Sequence, residues 1–183
     1  MSLFEYIMVL TSILIGLGVA ELLQGIVRLL RSDFEEGIYL PQLLWAGYLF
    51  LFLIVIWWSR WDLHENFNWS FIQLILSLAG PAIVFILSGL VFAHNEPARD
   101  YYFSKQKIFF TLLPLAMAIS LAHEVLIEGT AFFSSTMLLG GTLFLLTLIP
   151  RYSDTDWVNM SCAVLANVLF LGWVLNVQYF IAN

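Results

Sequence analysis

Few residues in this chain could do chemistry, and those few stand inside apolar surroundings. Glu21 and Glu124 are the only acids well inside long apolar runs. An ionised acid in hydrocarbon costs about 2.5 kcal/mol or more, so each should face protein or water rather than lipid. At helical spacing Gly18, Glu21, Gly25 and Arg28 form one stripe, with Thr11 further along the same face. Glycines on such a stripe let a second helix approach closely, and Gly16 and Ala20 extend the small-residue surface. Glu21 therefore reads either as a proton- or cation-binding carboxylate beside a tight helix contact, or as a structural acid held by Arg28 or Gln24. Arg28 lies seven residues on, about 10 Å along a helix axis. Pairing would need both side chains to lean together, so a partner on another helix, or water, is the expectation.

His123 adjoins Glu124. Adjacent helical residues point about 100° apart, so the two do not face each other. Together with Ser120 and Glu128 they could form a polar track, and an imidazole titrates near neutral pH. The plainer reading is that both sit at a membrane boundary and are simply wet. Asn167 and Asn176 interrupt the last apolar run, near Ser161 at its start. An Asn in a membrane helix usually makes an interhelical hydrogen bond, with contact to a substrate as the lesser reading. His64 and His94 fall at segment ends and are expected to be exposed. Cys162, alone in an apolar run, reads as a small buried hydrophobe, and one cysteine cannot build a disulfide framework or a thiolate metal cluster.

The elements that must position these residues follow from composition. The 183 residues are 61% hydrophobic and only 11% charged, against about 25% charged in soluble domains. A core of this size cannot bury that much apolar surface, and lipid is the solvent that resolves the conflict. Six runs are long enough to span, at about 20 residues each: 3–30, 37–59, 69–93, 108–127, 130–150 and 157–181. Barrel strands alternate over about ten residues, whereas these runs are continuous, so the fold expected is an all-α polytopic membrane bundle of six transmembrane helices. The first run carries Glu5 and no basic leader, and is read as a mature helix rather than a cleaved signal. Pro81 and Pro114 remove backbone donors within the third and fourth runs and should kink them.

Six spans put the connections after the first, third and fifth runs on one side. These carry Arg28, Arg31, Arg99, Lys105, Lys107 and Arg151, and the other side carries Arg60 alone. Basic loops are retained in the cytoplasm, so the reading is a cell (inner) membrane protein of bacterial type with both termini on the outer side. The whole chain, 1–183, is one transmembrane domain: a triplet 1–94, a cytoplasmic loop 95–106, and a triplet 107–183. Glu21 and Glu124 both fall late in the first helix of a triplet, Gly47 and Gly141 both lie in the second, and Trp69 and Trp157 both open the third. An inverted 3+3 repeat, the plan of many transporters, is therefore possible.

Several functions are disfavoured by what is missing. The sequence has no HExxH, no Gly-x-Ser-x-Gly elbow, no CxxC and no Gly-rich nucleotide loop. A net charge of −6 is unsuited to nucleic acid. No cofactor, metal or catalytic residue is expected, and a lipid-modifying enzyme would have no motif behind it. The leading expectation is a small transporter or channel-like protein for an ion or small solute, with Glu21, His123, Glu124, Asn167 and Asn176 as binding candidates. The rival is a non-transporting subunit, an assembly partner, sensor or effector that docks on other membrane proteins. Expected partners are the bilayer and either a second copy, most simply a dimer, or another membrane protein.

Overall fold

A computed structural model describes residues 3–31, 37–59, 70–92, 96–127 and 129–175. Among them the chain is all-α, with six helices: α1 Leu3–Arg31, α2 Leu40–Ser59, α3 Phe71–Leu90, α4 Ala98–Leu126, α5 Ser135–Leu148 and α6 Asp156–Trp173. A 3₁₀ turn, Pro150–Tyr152, separates α5 from α6. Four of these, α1 to α4, are long and apolar enough to cross a membrane.

The helices pack in the circular order α1, α3, α4, α5, α6, α2. Successive helices run antiparallel, so the C-terminal ends of α1, α3 and α5 lie with the N-terminal ends of α2, α4 and α6. Gln42 at the start of α2 donates to the Val91 carbonyl just past α3 (2.6 Å). Arg151 after α5 donates to the Lys107 carbonyl on α4 (3.0 Å). Arg28, Arg99, Lys105, Lys107 and Arg151 therefore share one end of the bundle, as the charge pattern requires. Arg60 lies outside the described residues.

The buried stripe of α1 runs Ile7, Thr11, Ile15, Gly18, Leu22 and Gly25, in steps of four and three residues that keep one face inward. Its glycines do what their spacing suggested. A Cβ on Gly18 would sit 2.9 Å from Leu53 of α2, and one on Gly25 only 2.0 Å from the Phe92 ring. Gly16 faces outward with nothing within 4 Å. Around α2 and α4 the core is aromatic: Trp45 meets Phe110 edge-on at 5.2 Å, and Tyr48 meets Phe170 at 5.1 Å.

Two boundaries differ from the sequence reading. The stretch read as a cytoplasmic loop, 95–106, is helical from Ala98 onward. Ala98, Tyr102, Gln106, Phe109 and Phe110 are all buried. That four-residue spacing turns one face of the extension onto the bundle while its charges stay wet. At 29 residues, α4 is about 43 Å long, more than the ~30 Å a hydrocarbon core needs. In the other direction, the fifth run, 130–150, keeps only 14 helical residues. Gly129 has φ of 69°, a turn closes from Ala131 to Ser134, and the Ser134 hydroxyl caps α5 by accepting from Met137 N (3.2 Å). At about 21 Å, α5 is shorter than a hydrocarbon core. The third run starts cleanly for the same kind of reason. Ser70 and Gln73 form a reciprocal capping box at the head of α3. Both α3 and α4 continue as helix through their buried prolines.

Candidate functional site

Glu21 is paired within its own helix. Arg28 Nη2 lies 3.3 Å from Glu21 Oε1, with side-chain exposures of 38% and 29%. The expectation that Glu21 depends on another helix or on water is thus corrected. Two helical turns bring the side chains to the same edge of α1, and the long arginine leans back far enough to close the gap. Gln24, the other sequence-suggested partner, is exposed. Glu21 does not line the cavity between α2, α4, α5 and α6; it lies alongside Gly89 of α3, where a Cβ would stand 3.9 Å from Glu21 Cγ.

His123 and Glu124 fare differently. They diverge as adjacent helical residues must, yet both border one cavity of about 90 Å³ between α2, α4, α5 and α6. His123 is buried, so the wet-boundary reading does not hold for it. Its Nε2 lies 3.0 Å from the Ser77 hydroxyl of α3, also fully buried. Pro81 stands four residues after Ser77 and lacks the N–H that would bond the Ser77 carbonyl, so polar backbone and hydroxyl coincide at this point of α3. Glu124 turns toward the connection to α5, where Thr130 Oγ1 donates to its Oε2 (3.2 Å) and Thr130 N to its backbone carbonyl (3.1 Å).

The cavity is mostly apolar. Tyr48, Phe52, Phe170 and Trp173 give it aromatic walls, and Ser120 and Thr136 are among its few polar neighbours. Phe170 and Trp173 stack nearly parallel (11°, 6.0 Å), which fixes the wall that α6 presents. The Trp173 indole N–H is buried without a hydrogen-bond partner. Gly140 lets α5 close against α4, since a Cβ there would meet Leu121 Cδ2 at 2.4 Å. Ser59, Thr136 and Trp173 mark the end of the bundle away from Arg28, Arg99, Lys105, Lys107 and Arg151. At the inner end of the cavity the Tyr48 hydroxyl reaches Met117 Sδ (3.8 Å), as does Thr147 Oγ1 (3.8 Å).

Beyond that floor, toward the basic end, lies a polar knot that the sequence reading did not single out. Asn159 is fully buried in α6. Its Oδ1 accepts from the Tyr102 hydroxyl (2.9 Å) and Gln106 Nε2 (3.3 Å), and its Nδ2 donates to the carbonyls of Ser153 (2.8 Å) and Thr155 (3.0 Å). Gln106 also donates to the carbonyls of Pro150 and Ser153. One turn outward, Arg99 holds Asp156 with two bonds (3.1 and 3.0 Å), and the Tyr39 hydroxyl donates to the same carboxylate (2.9 Å). These bonds from Arg99, then Tyr39, hold the Asp156 carboxyl below the usual carboxylate range. The knot joins the starts of α2, α4 and α6. The signal that could have found it is the four-residue spacing of Ala98, Tyr102 and Gln106, hidden because charged neighbours made the stretch look like a loop.

Asn167 makes the interhelical bond expected of it, donating to the Leu44 carbonyl of α2 (3.0 Å) and to Ala163 in its own helix (2.9 Å). It does not border the cavity. Asn176 lies outside the described residues, as do His64, His94 and Glu128. Among the described residues no group of three His, Cys, Asp or Glu is placed to hold a metal ion.

Fold and site together define an all-α bundle with four helices of membrane-spanning length and apolarity. No family model matches the chain, and neither a curated protein nor a solved structure matches it.

Proposed function

We propose that this chain is a six-span protein of the cell membrane that moves an ion or small solute, with its site in the cavity beside His123 and Glu124. The observation that supports this is the cavity among α2, α4, α5 and α6, which is bordered by both Glu124 and the buried His123. Many transporters hold their site between packed helices in this way, with polar groups set in apolar walls. In this proposal α5 and α6 complete the six spans, the basic end is cytoplasmic, and both termini face outward. The inverted repeat plays no part in it: α1 packs along α3, whereas α4 and α6 meet mainly through polar side chains near their N-terminal ends.

The test is flux in reconstituted vesicles loaded with a pH-sensitive dye and driven by a potassium diffusion potential. Wild-type protein is expected to pass protons or a small cation. Glu124→Gln, which keeps the shape, should abolish the flux, and Glu21→Gln should leave it intact. Wild-type vesicles that are as tight as protein-free ones to protons and to small cations would reject transport.

A second reading has its own support. The outward face of α1 exposes Gly16 and Ala20 one turn apart, with Gln24 another turn on. Small residues at that spacing suit close helix docking. The rival proposal is a non-transporting subunit that pairs through α1, most simply with a second copy. Mass measurement in native lipid distinguishes it: a dimer lost in Gly16→Leu, in a protein without flux, would favour the subunit.

A further inference from the structure

We infer that the outward face of α5 seats a locally thinned bilayer, so that the membrane is shallower on this side of the bundle than on the side of α1 and α3. This rests on the proposed six spans, and adds the lipid surface that α5 fits. Three observations converge on it. The first is length. α5 has 14 residues, about 21 Å, and both of its ends are fixed. The turn from Ala131 to Ser134 and the Ser134 cap close one end. Pro150, which has no N–H to continue the helix, opens a 3₁₀ turn at the other. The second is the level of the charges. Arg151 donates to the Lys107 carbonyl, which sets two cations at one height. The Arg151 guanidinium also lies 5.7 Å from the centre of the exposed Tyr152 ring, a cation and an aromatic together as at a membrane–water boundary. Toward the other end, Thr130 ties the connection before α5 to Glu124. Lys107 and Glu124 stand seventeen residues apart on α4, about 25 Å. The sequence carries no Asp, Glu, Lys or Arg between them, and none from Gly129 to Pro150. On the far side of the ring, α3 has 20 residues, about 30 Å, and α1 has 29. A hydrocarbon core of ~30 Å therefore matches α3 and exceeds the α5 side by about 5–9 Å. The third is the surface itself. Leu138, Thr142, Leu145 and Ile149 form one exposed row, with Phe132 and Phe133 exposed before it. Thr142 spends its hydroxyl on the Leu138 carbonyl (2.8 Å), and the other members are large and apolar. Acyl chains suit such a row, whereas close helix docking favours small or hydrogen-bonding residues. Tilting, which relieves a span that is too long, would shorten the reach of α5 further, so the lipid must thin to meet it. Thinning also brings Glu124 toward the outer boundary.

The experiment places single nitroxide-labelled cysteines in the full chain carrying Cys162→Ala, reconstituted in vesicles of dioleoyl- or dimyristoleoyl-phosphatidylcholine. Leu138 and Ile149 on α5, and Ile75 and Ile86 on α3, are exposed pairs of equal span, each eleven residues apart, about 16 Å. Leu145 reports the middle of the α5 row. Collision with oxygen, which concentrates in lipid, and with a water-soluble nickel chelate reads the depth of each label. In dioleoyl vesicles the α5 pair is expected to lie about 3 Å or more shallower than the α3 pair, half of the mismatch. In the shorter-chain dimyristoleoyl lipid the difference should vanish. If a label at Leu138 or Leu145 alters the melting curve, Thr142 in the same row takes its place. Equal depths for the two pairs in dioleoyl vesicles would overturn the thinning and leave the six spans standing. So would α5 labels shielded from both oxygen and nickel, the mark of a protein covering the face. Free nickel access at Leu145 as well as at the ends would put α5 outside the hydrocarbon, and would overturn the thinning and the six spans together.

Discussion

Asn159 offers the sharpest test of how the helices are held at the basic end. Replacing it with Ala removes four hydrogen bonds at once, those to Tyr102, Gln106, Ser153 and Thr155. A typical intramolecular hydrogen bond contributes about 1 kcal/mol net, but a buried partner left unpaired costs its full desolvation, about 1–3 kcal/mol. Gln106 retains its bonds to the carbonyls of Pro150 and Ser153, and Thr155 is exposed and can turn to water. The Tyr102 hydroxyl is left stranded in a residue only 8% exposed. Adding one stranded hydroxyl to one or two lost bonds gives a destabilisation of about 2–4 kcal/mol. For a chain of this length that corresponds to a fall in Tm of roughly 5–15 °C. The assay is thermal unfolding in mild detergent, run as a double-mutant cycle with Tyr102→Phe. Because Tyr102→Phe removes the stranded group, the double mutant should be less destabilised than the sum of the singles, by at least about 0.5 kcal/mol. An Asn159→Ala protein that melts with wild type, or a cycle that is strictly additive, would refute the knot as a fastener.

Other perturbations follow from the same geometry. Gly25→Val should lower Tm, because its Cβ would stand 2.0 Å from the Phe92 ring, and overpacking of this kind costs about 1–3 kcal/mol; the same melting assay checks it, and an unchanged Tm would mean Phe92 swings aside freely. Glu21→Leu should cost under about 1 kcal/mol, since its pair with Arg28 is part-exposed; a large loss would point to a partner beyond Arg28. Asp156 has its folded pKa below the unfolded value, so its pairing stabilises the fold above the usual carboxylate range, and that contribution is lost as pH falls through the folded value. Melting from pH 5 to pH 2 should therefore be steeper for wild type than for Asp156→Asn, and parallel curves would contradict the pairing. For topology, single cysteines at Ser153 and Asn183, with Cys162 replaced by Ala, should label from opposite sides of the membrane; labelling from one side would reject six spans.

How much was legible follows from what each residue type must do. Long apolar runs can only be helices where no water satisfies the backbone, so the helical class and the extents of α1, α2 and α3 were readable within a few residues. The glycine stripe of α1 was readable too, because Gly18 and Gly25 have no side chain and so mark where another helix can touch. The limits of α4 and α5 were not. Lys105 and Lys107 lowered the local hydropathy and hid a helix whose inner face, Tyr102 and Gln106, is buried. Phe132 and Phe133 raised the hydropathy of a stretch that is a turn, with Gly129 at positive φ and Ser134 capping the helix that follows.

The polar residues divide along a similar line. A side chain's identity tells whether it needs a partner, but the partner is set by helix packing. Glu21 attracted attention because it was an acid in an apolar run, yet its partner was two turns away on the same helix. Gln106 and Asn159 attracted none, being uncharged and near segment ends, yet they sit where three helix starts converge. His123 and Glu124 were read as not facing each other, though able to share a polar track, and they make no direct contact. That divergence of about 100° also lets two neighbours border one cavity from different sides, with His123 turned to α3 and Glu124 to the α5 connection. The cavity itself is made by residues of four helices, among them Phe52, Met117, Leu143 and Phe170, each of which alone reads as ordinary core. A site of the kind proposed, built mainly from apolar walls, leaves its charged members as its mark in the sequence. Under the proposed function Glu124, and not Glu21, is the acid whose neutralisation should abolish flux.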